Sequence, residues 1–181
     1  MTAPGQAPDV WKIGACCYGP GLNLELAKQM LEAGEKESVK QGVPMAMAIS
    51  DSGGNLLAFH RMDNTMLVST QIAMDKAFTS VFGKLPTGSF AGGYRAGELV
   101  PLFFHERWIT FNGGYSLIKD GVLMGGLGVS GGRIEDNFAA RAIMKAGGFD
   151  TTDADALIKE YEGDLKKSKG KGQNSKMKVK N

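Results

Sequence analysis

Two glycine-rich segments most constrain what this chain can fold into. Residues 49–63 read ISDSGGNLLAFHRMD, and residues 113–136 read GGYSLIKDGVLMGGLGVSGGRIED. Each joins β-type apolar residues through a Gly-containing turn and closes on a cluster of charges. Asp51-Ser52-Gly53-Gly54 can reverse the chain between two strands, because glycine takes positive φ at little steric cost. Lys119-Asp120-Gly121 reads as a second hairpin turn by the same chemistry. The 26 glycines in 181 residues are about twice the ordinary ~7% share. Their clustering at turn signals points to tight β-turns rather than to a repeat.

Helical periodicity surrounds the hairpins. Asn23 can cap a helix running to about Gln41, with Leu24, Ala27, Met30 and Leu31 at three- and four-residue spacing and Gly42 as its stop. Residues 45–49 (MAMAI) suit a strand, and 56–61 its hairpin partner. Residues 67–82 return to helical spacing with Val68, Ile72, Ala73, Ala77, Phe78, Val81 and Phe82 as the expected inner face, and Gly83 placed to end the helix. Residues 84–100 read as a short helix mixed with loop. Three more strands are expected at 108–111, 116–118 and 122–129, then a helix at 134–145 stopped by Gly147-Gly148. A last short helix at 153–161 has an N-cap in Thr151 or Thr152. This order predicts an α+β fold, an antiparallel sheet of about five strands flanked by helices. It divides into an arm (1–21), one domain (22–165) and a disordered Lys-rich tail (166–181).

The formal charge of +2 describes the tail. Its last sixteen residues carry seven lysines and no acid, leaving 14 basic against 19 acidic residues in the body. No aromatic residue interleaves with those lysines, so the pattern predicts no nucleic-acid partner, and no apolar run approaches the ~20 residues that span a bilayer. The two cysteines, Cys16 and Cys17, are adjacent. They make no disulfide framework and lack partners for a zinc site, so no metal is expected. With no leader-like N-terminal pattern, the reading is cytoplasmic.

Few residues can carry chemistry. Of the two histidines, His60 sits near a strand end, whereas His105 lies in LFFHERW, where an imidazole can act as acid, base or ligand. Lys76 interrupts an apolar helix, either to snorkel or to point into a pocket. Arg61 can pair with Asp63 or hold a carboxylate in its planar fork. Glu135 follows Gly131-Gly132-Arg133 at a helix start, as a first-turn acid or a general base. Asn112 and Tyr115 flank Gly113-Gly114 and can hydrogen-bond a ligand there. Ten methionines read as core gap-filling, with a soft pocket or subunit interface as the alternative. No serine sits in a nucleophile elbow, and no Walker lysine accompanies the glycines.

The segments GVPMAMAISDSGGNLLAFHRMD, AMDKAFTS and GGYSLIKDGVLMGGLGVSGGRIED, with the Ala-rich helix that follows, resemble the GlcG-like, HbpS-type heme-binding domains related to the C-terminal domain of PduO-type proteins. The resemblance spans residues 23–147 and implies a profilin- or PAS-like sheet, association into dimers or larger rings, and heme as a candidate cofactor. Some members ligate iron through a histidine of the first helix; this first helix has none. The leading expectation is therefore a homo-oligomeric protein binding heme or another planar, carboxylate-bearing small molecule. Arg61 and Lys76 would hold anionic groups, and His105, Phe104, Trp108 and Tyr115 would wall the pocket beside Asn112, Gly113 and Gly114. The alternatives are a small cofactor-independent hydratase, isomerase or lyase using His105, Glu135, Lys76 or Tyr115, and a non-catalytic accessory or assembly protein.

Overall fold

The computed structural model describes residues 21–98 and 105–177. Helix α1 (Leu24–Gln41) leads into strands β1 (Ala46–Asp51) and β2 (Leu56–Arg61), then α2 (Leu67–Gly83). A 3-10 turn at Thr87–Ser89 and the short α3 (Phe90–Arg95) follow. The chain then makes β3 (Gly114–Lys119), β4 (Val122–Ser130), α4 (Glu135–Ala146) and α5 (Thr152–Met177). The sheet has four strands in the order β2-β1-β4-β3, antiparallel throughout.

The local signals that start and stop these elements are visible atom by atom. Asn23 accepts the Leu26 N–H at 2.8 Å, and Gly42 ends α1 in the left-handed region at φ 68°. In the first hairpin, Asp51 Oδ1 accepts the N–H groups of Gly53 (2.8 Å) and Asn55 (2.9 Å). Asp120 and Gly121 both take positive φ, 51° and 77°, the backbone of a two-residue hairpin turn matched to strand twist.

The sheet sorts its residues by size. Successive side chains alternate faces. Met47, Ile49, Tyr115, Leu117, Leu127 and Val129 point to one side, where Ala27, Met30 and Leu31 of α1 and Ala139, Ala140 and Ile143 of α4 complete the main core. On the other side Ala46 and Ala48 pack with Ala73 and Ala77 of α2. A Cβ at Gly126 would strike the Ala77 carbonyl and one at Gly128 the Ala73 carbonyl. Helix α2 therefore rests almost backbone-on-backbone against β4.

The strand expected at 122–129 is β4, and its Gly126 and Gly128 lie on the face toward α2. Three other expectations are corrected. The buried side of α2 holds Ser69, Ala73, Asp75, Lys76, Ala77, Thr79, Ser80 and Val81, while Val68 and Phe82 are exposed, because a surface of Gly, Ala and Ser admits only small or slender partners. Residues 108–111 form no fifth strand. Their polar groups are met by side chains instead: Ile109 N donates to Thr79 Oγ1 at 3.1 Å, and Phe111 O accepts from Thr87 Oγ1 at 2.5 Å. Finally, α5 continues past Tyr161 to Met177, consistent with the helix-tolerant lysines and acids there. Among the described residues no helix is long and apolar enough to cross a membrane.

Replacing Gly128 by Ala is expected to lower stability by about 1–3 kcal/mol or more through overpacking against backbone. A urea midpoint equal to that of the parent chain would refute the direct seating of α2 on β4.

Candidate functional site

Lys76 is a long charged side chain buried on the small-residue side of the sheet. It is 1% exposed, and its Nζ donates to the Val129 carbonyl (2.5 Å) and to Asp136 Oδ2 (2.7 Å). Asp136 is 3% exposed, in the first turn of α4, and its Oδ1 accepts the Gly132 N–H at 2.8 Å. One ion pair thus ties α2, the end of β4, the turn at 131–134 and α4 together. Burial pushes the lysine down from its ordinary pKa and the aspartate up, while their mutual attraction opposes both shifts.

Gly113 makes room for the pair. Its φ is +102°, and a Cβ there would meet Val129 O, Asp136 Cβ and Lys76 Nζ, so conformation and space both require glycine. Gly114 donates its N–H to Thr87 Oγ1 at 3.1 Å, docking β3 onto the 3-10 turn.

The pair borders a cleft of about 540 Å³, within the ~300–1,000 Å³ usual for ligand sites. Met66, Val68, Ser69 and Ile72 of α2 line it, with Ala91 and Arg95 of α3, Thr110, Phe111 and Asn112 of the following segment, and Tyr161 of α5. Ser130, Gly132, Arg133 and Ile134 complete it beside Lys76 and Asp136. Among the described residues its cations are Lys76, Arg95 and Arg133, against the single carboxylate of Asp136.

The expected site residues divide. Lys76 and Asn112 line the cleft; Gly113 instead packs against the Lys76–Asp136 pair and Gly114 against Thr87, outside the lining. His105 does not line it: the exposed ring stacks on Phe78 at 5.3 Å, and Nδ1 accepts the Arg107 N–H. Trp108 packs edge-on against Phe90 at 5.0 Å. Tyr115 is a core residue whose hydroxyl donates to Asn137 Oδ1 at 2.8 Å, and burial pushes its pKa up. Glu135 accepts the Arg133 N–H at 2.9 Å, a local cap. Arg61 is exposed at the end of β2, away from the cleft lining. His60 instead places Nδ1 2.7 Å from Glu35 Oε1. Phe104 lies outside the described residues. Sequence reasoning missed Arg95 and Ser69 and took Asp136 for an ordinary first-turn acid. The available signal was the four-residue step from Gly132 to Asp136, which lets a carboxylate turn back onto a backbone N–H.

The residues present suit heme in part. Arg95 and Arg133 would hold its carboxylates, and Met66 and Tyr161 are the cleft residues carrying a thioether or phenol able to ligate iron.

Replacing Lys76 by Met strands Asp136 in the interior and should cost about 3–5 kcal/mol. Without the lysine, burial alone raises the Asp136 pKa, so the folded chain keeps a proton that the unfolded chain releases above about 3.8. The variant should therefore lose stability as pH rises from that value through the raised folded pKa. Denaturation at a series of pH values checks both points, and a Lys76→Met/Asp136→Leu double variant should recover much of the loss.

The comparisons with known proteins agree with this architecture. The protein from the dhaT-dhaS intergenic region of Citrobacter freundii is 31% identical over 119 residues, covering 64% of this chain and 84% of that one. Protein GlcG of Escherichia coli K12 is 31% identical over 113 residues, covering 60% and 81%. The corrinoid adenosyltransferase PduO of Salmonella typhimurium is 36% identical, but the match spans only 35% of that longer chain. Among solved structures, a PduOC:heme complex superposes with a TM-score of 0.68 at 30% identity, covering 72% of this chain and 98% of the other. HbpS superposes with a TM-score of 0.63 at 25% identity, covering 81% and 96%. The model of the haem-degrading, HbpS-like proteins matches residues 22–145, and the chain belongs to that family.

Proposed function

We propose that this chain binds a planar, carboxylate-bearing small molecule, heme or one of similar shape and charge, in the cleft beside Lys76. The observation that carries this reading is the pair of arginines, Arg95 and Arg133. They come from separate elements and line a cleft otherwise walled largely by Met66, Val68, Ile72, Phe111 and Ile134. Guanidinium groups hold carboxylates bidentately, and apolar walls take the body of a flat ring system. The PduOC:heme complex supports heme as the first ligand to test.

Bound heme would supply a redox-active iron. The chain's own part is to orient the carboxylates through Arg95 and Arg133, keep water from the apolar face, and hold the cleft open through the Lys76–Asp136 pair. Homo-oligomerisation belongs to the same proposal. Among the described residues β2 and β3 are the edge strands of the sheet, and Ile118 and Val122 are exposed near one of them, the kind of edge natural proteins cover or pair.

Hemin titrated into the full chain should give a saturable Soret band and calorimetric heat. Arg95→Ala and Arg133→Ala should each weaken binding roughly tenfold or more, the scale of one charge-assisted hydrogen bond. Absence of binding by hemin and by a panel of aromatic carboxylates would overturn the proposal.

A further inference from the structure

The inference concerns the opposite end of the cleft wall from Lys76, and it rests on the cleft being a ligand site. Helix α2 is 17 residues long, yet its first turn holds no acid and no side chain caps it. Thr65, which precedes the N-cap Met66, is turned away: its hydroxyl donates to the Met62 carbonyl at 2.7 Å. Ser69 uses its N–H on the Met66 carbonyl at 3.0 Å. The N–H groups of Leu67 and Val68 are the first-turn donors that a helix cannot satisfy within itself, and they stand at the positive end of its dipole.

A second feature coincides with this end. Ser69 is 0% exposed and belongs to the cleft wall, and its Oγ has no hydrogen-bond partner among the described residues. A buried hydroxyl without a partner is costly to keep. A packing role would be served as well by alanine. Met66, three residues earlier and so adjacent on the helix surface, is half exposed and also lines the cleft; side-chain rotamer changes of the sort common on binding would give a ligand access to the hydroxyl.

We infer that the N-terminus of α2, with the Leu67 and Val68 N–H groups and the Ser69 hydroxyl, forms an oxyanion subsite that takes a carboxylate or phosphate group of the bound molecule. Ser69, Ile72 and Lys76 follow one another at three- and four-residue spacing along the helix face. The subsite thus lies about 10 Å along the axis from Lys76, with the apolar Ile72 between. The cleft is polar at both ends of this ridge and apolar in its middle. It suits an elongated molecule bearing an oxyanion at the α2 end and a second polar group toward Arg133 and Asn112.

The test uses the full chain labelled with nitrogen-15 and titrated separately with sodium benzoate and inorganic phosphate. Saturable shifts at the Leu67 and Val68 amides with either ion are expected, and which ion gives them assigns carboxylate or phosphate as the group recognised. Ser69→Ala should weaken the saturating ion at least fivefold while the ligand-free melting temperature stays level or rises. Leu67→Pro removes a donor at a position where proline suits a helix start and should weaken the ion while circular dichroism is unchanged. Lack of saturable shifts at these amides overturns the inference, as does a Ser69→Ala chain that melts lower and binds the ion as before. Hemin binding without an amide response defeats the subsite alone. An amide response without hemin binding upholds the subsite and tells against heme.

Discussion

A lysine and an aspartate with almost no access to water hold this structure in register. Removing two charges from solvent is costly, and their attraction repays it only when every remaining donor and acceptor is served. Here Lys76 donates hydrogen bonds to Asp136 and to the Val129 carbonyl, and Asp136 accepts a further one from the Gly132 N–H. The four groups belong to α2, β4, a turn and α4, so the pair fixes where the turn sits. The turn in turn carries Arg133 to the cleft. Substitution at either charged position would act on the cleft through that placement.

The pair owes its room to the unequal faces of the sheet. Methionine, isoleucine, leucine, valine and tyrosine fill the side toward α1 and α4, giving a conventional core. Glycine, alanine and serine occupy the side toward α2, where Ser116 Oγ donates to the Ser80 carbonyl at 2.8 Å. Little apolar area is buried on that side, so close approach and hydrogen bonds to backbone carbonyls do more of the work there. A lysine can lie between helix and strand only because Gly113 and Gly128 leave space for it.

Much of this architecture is legible in the chain itself. Asn23 and Gly42 bound α1 as capping chemistry requires, the two hairpins fall where Asp-Ser-Gly-Gly and Lys-Asp-Gly place them, and the family follows from the same segments. The strand at 122–129 is legible too, but the size alternation in MAMAIS and LMGGLGVS does not by itself say that a helix backbone rests on the glycines. The 108–111 segment has β-type composition, and only the positions of Thr79 and Thr87 show that side chains replace a ladder there. The cleft was the least legible part. Arg95, Arg133 and Ser69 are far apart in sequence and meet through tertiary packing. His105 and Trp108 attracted notice by chemical type, a property silent about direction.

The seating of α2 on β4 also sets where this scaffold can vary. Because helix carbonyl oxygens lie against Gly126 and Gly128 of the strand, a sideways shift of the helix there would meet backbone rather than side chains that can repack. Variation in the shape and charge of the cleft must then come from the outward rim, at Met66, Val68, Arg95 and Phe111. Those positions can change in size and charge while the helix beneath them stays where the glycines hold it.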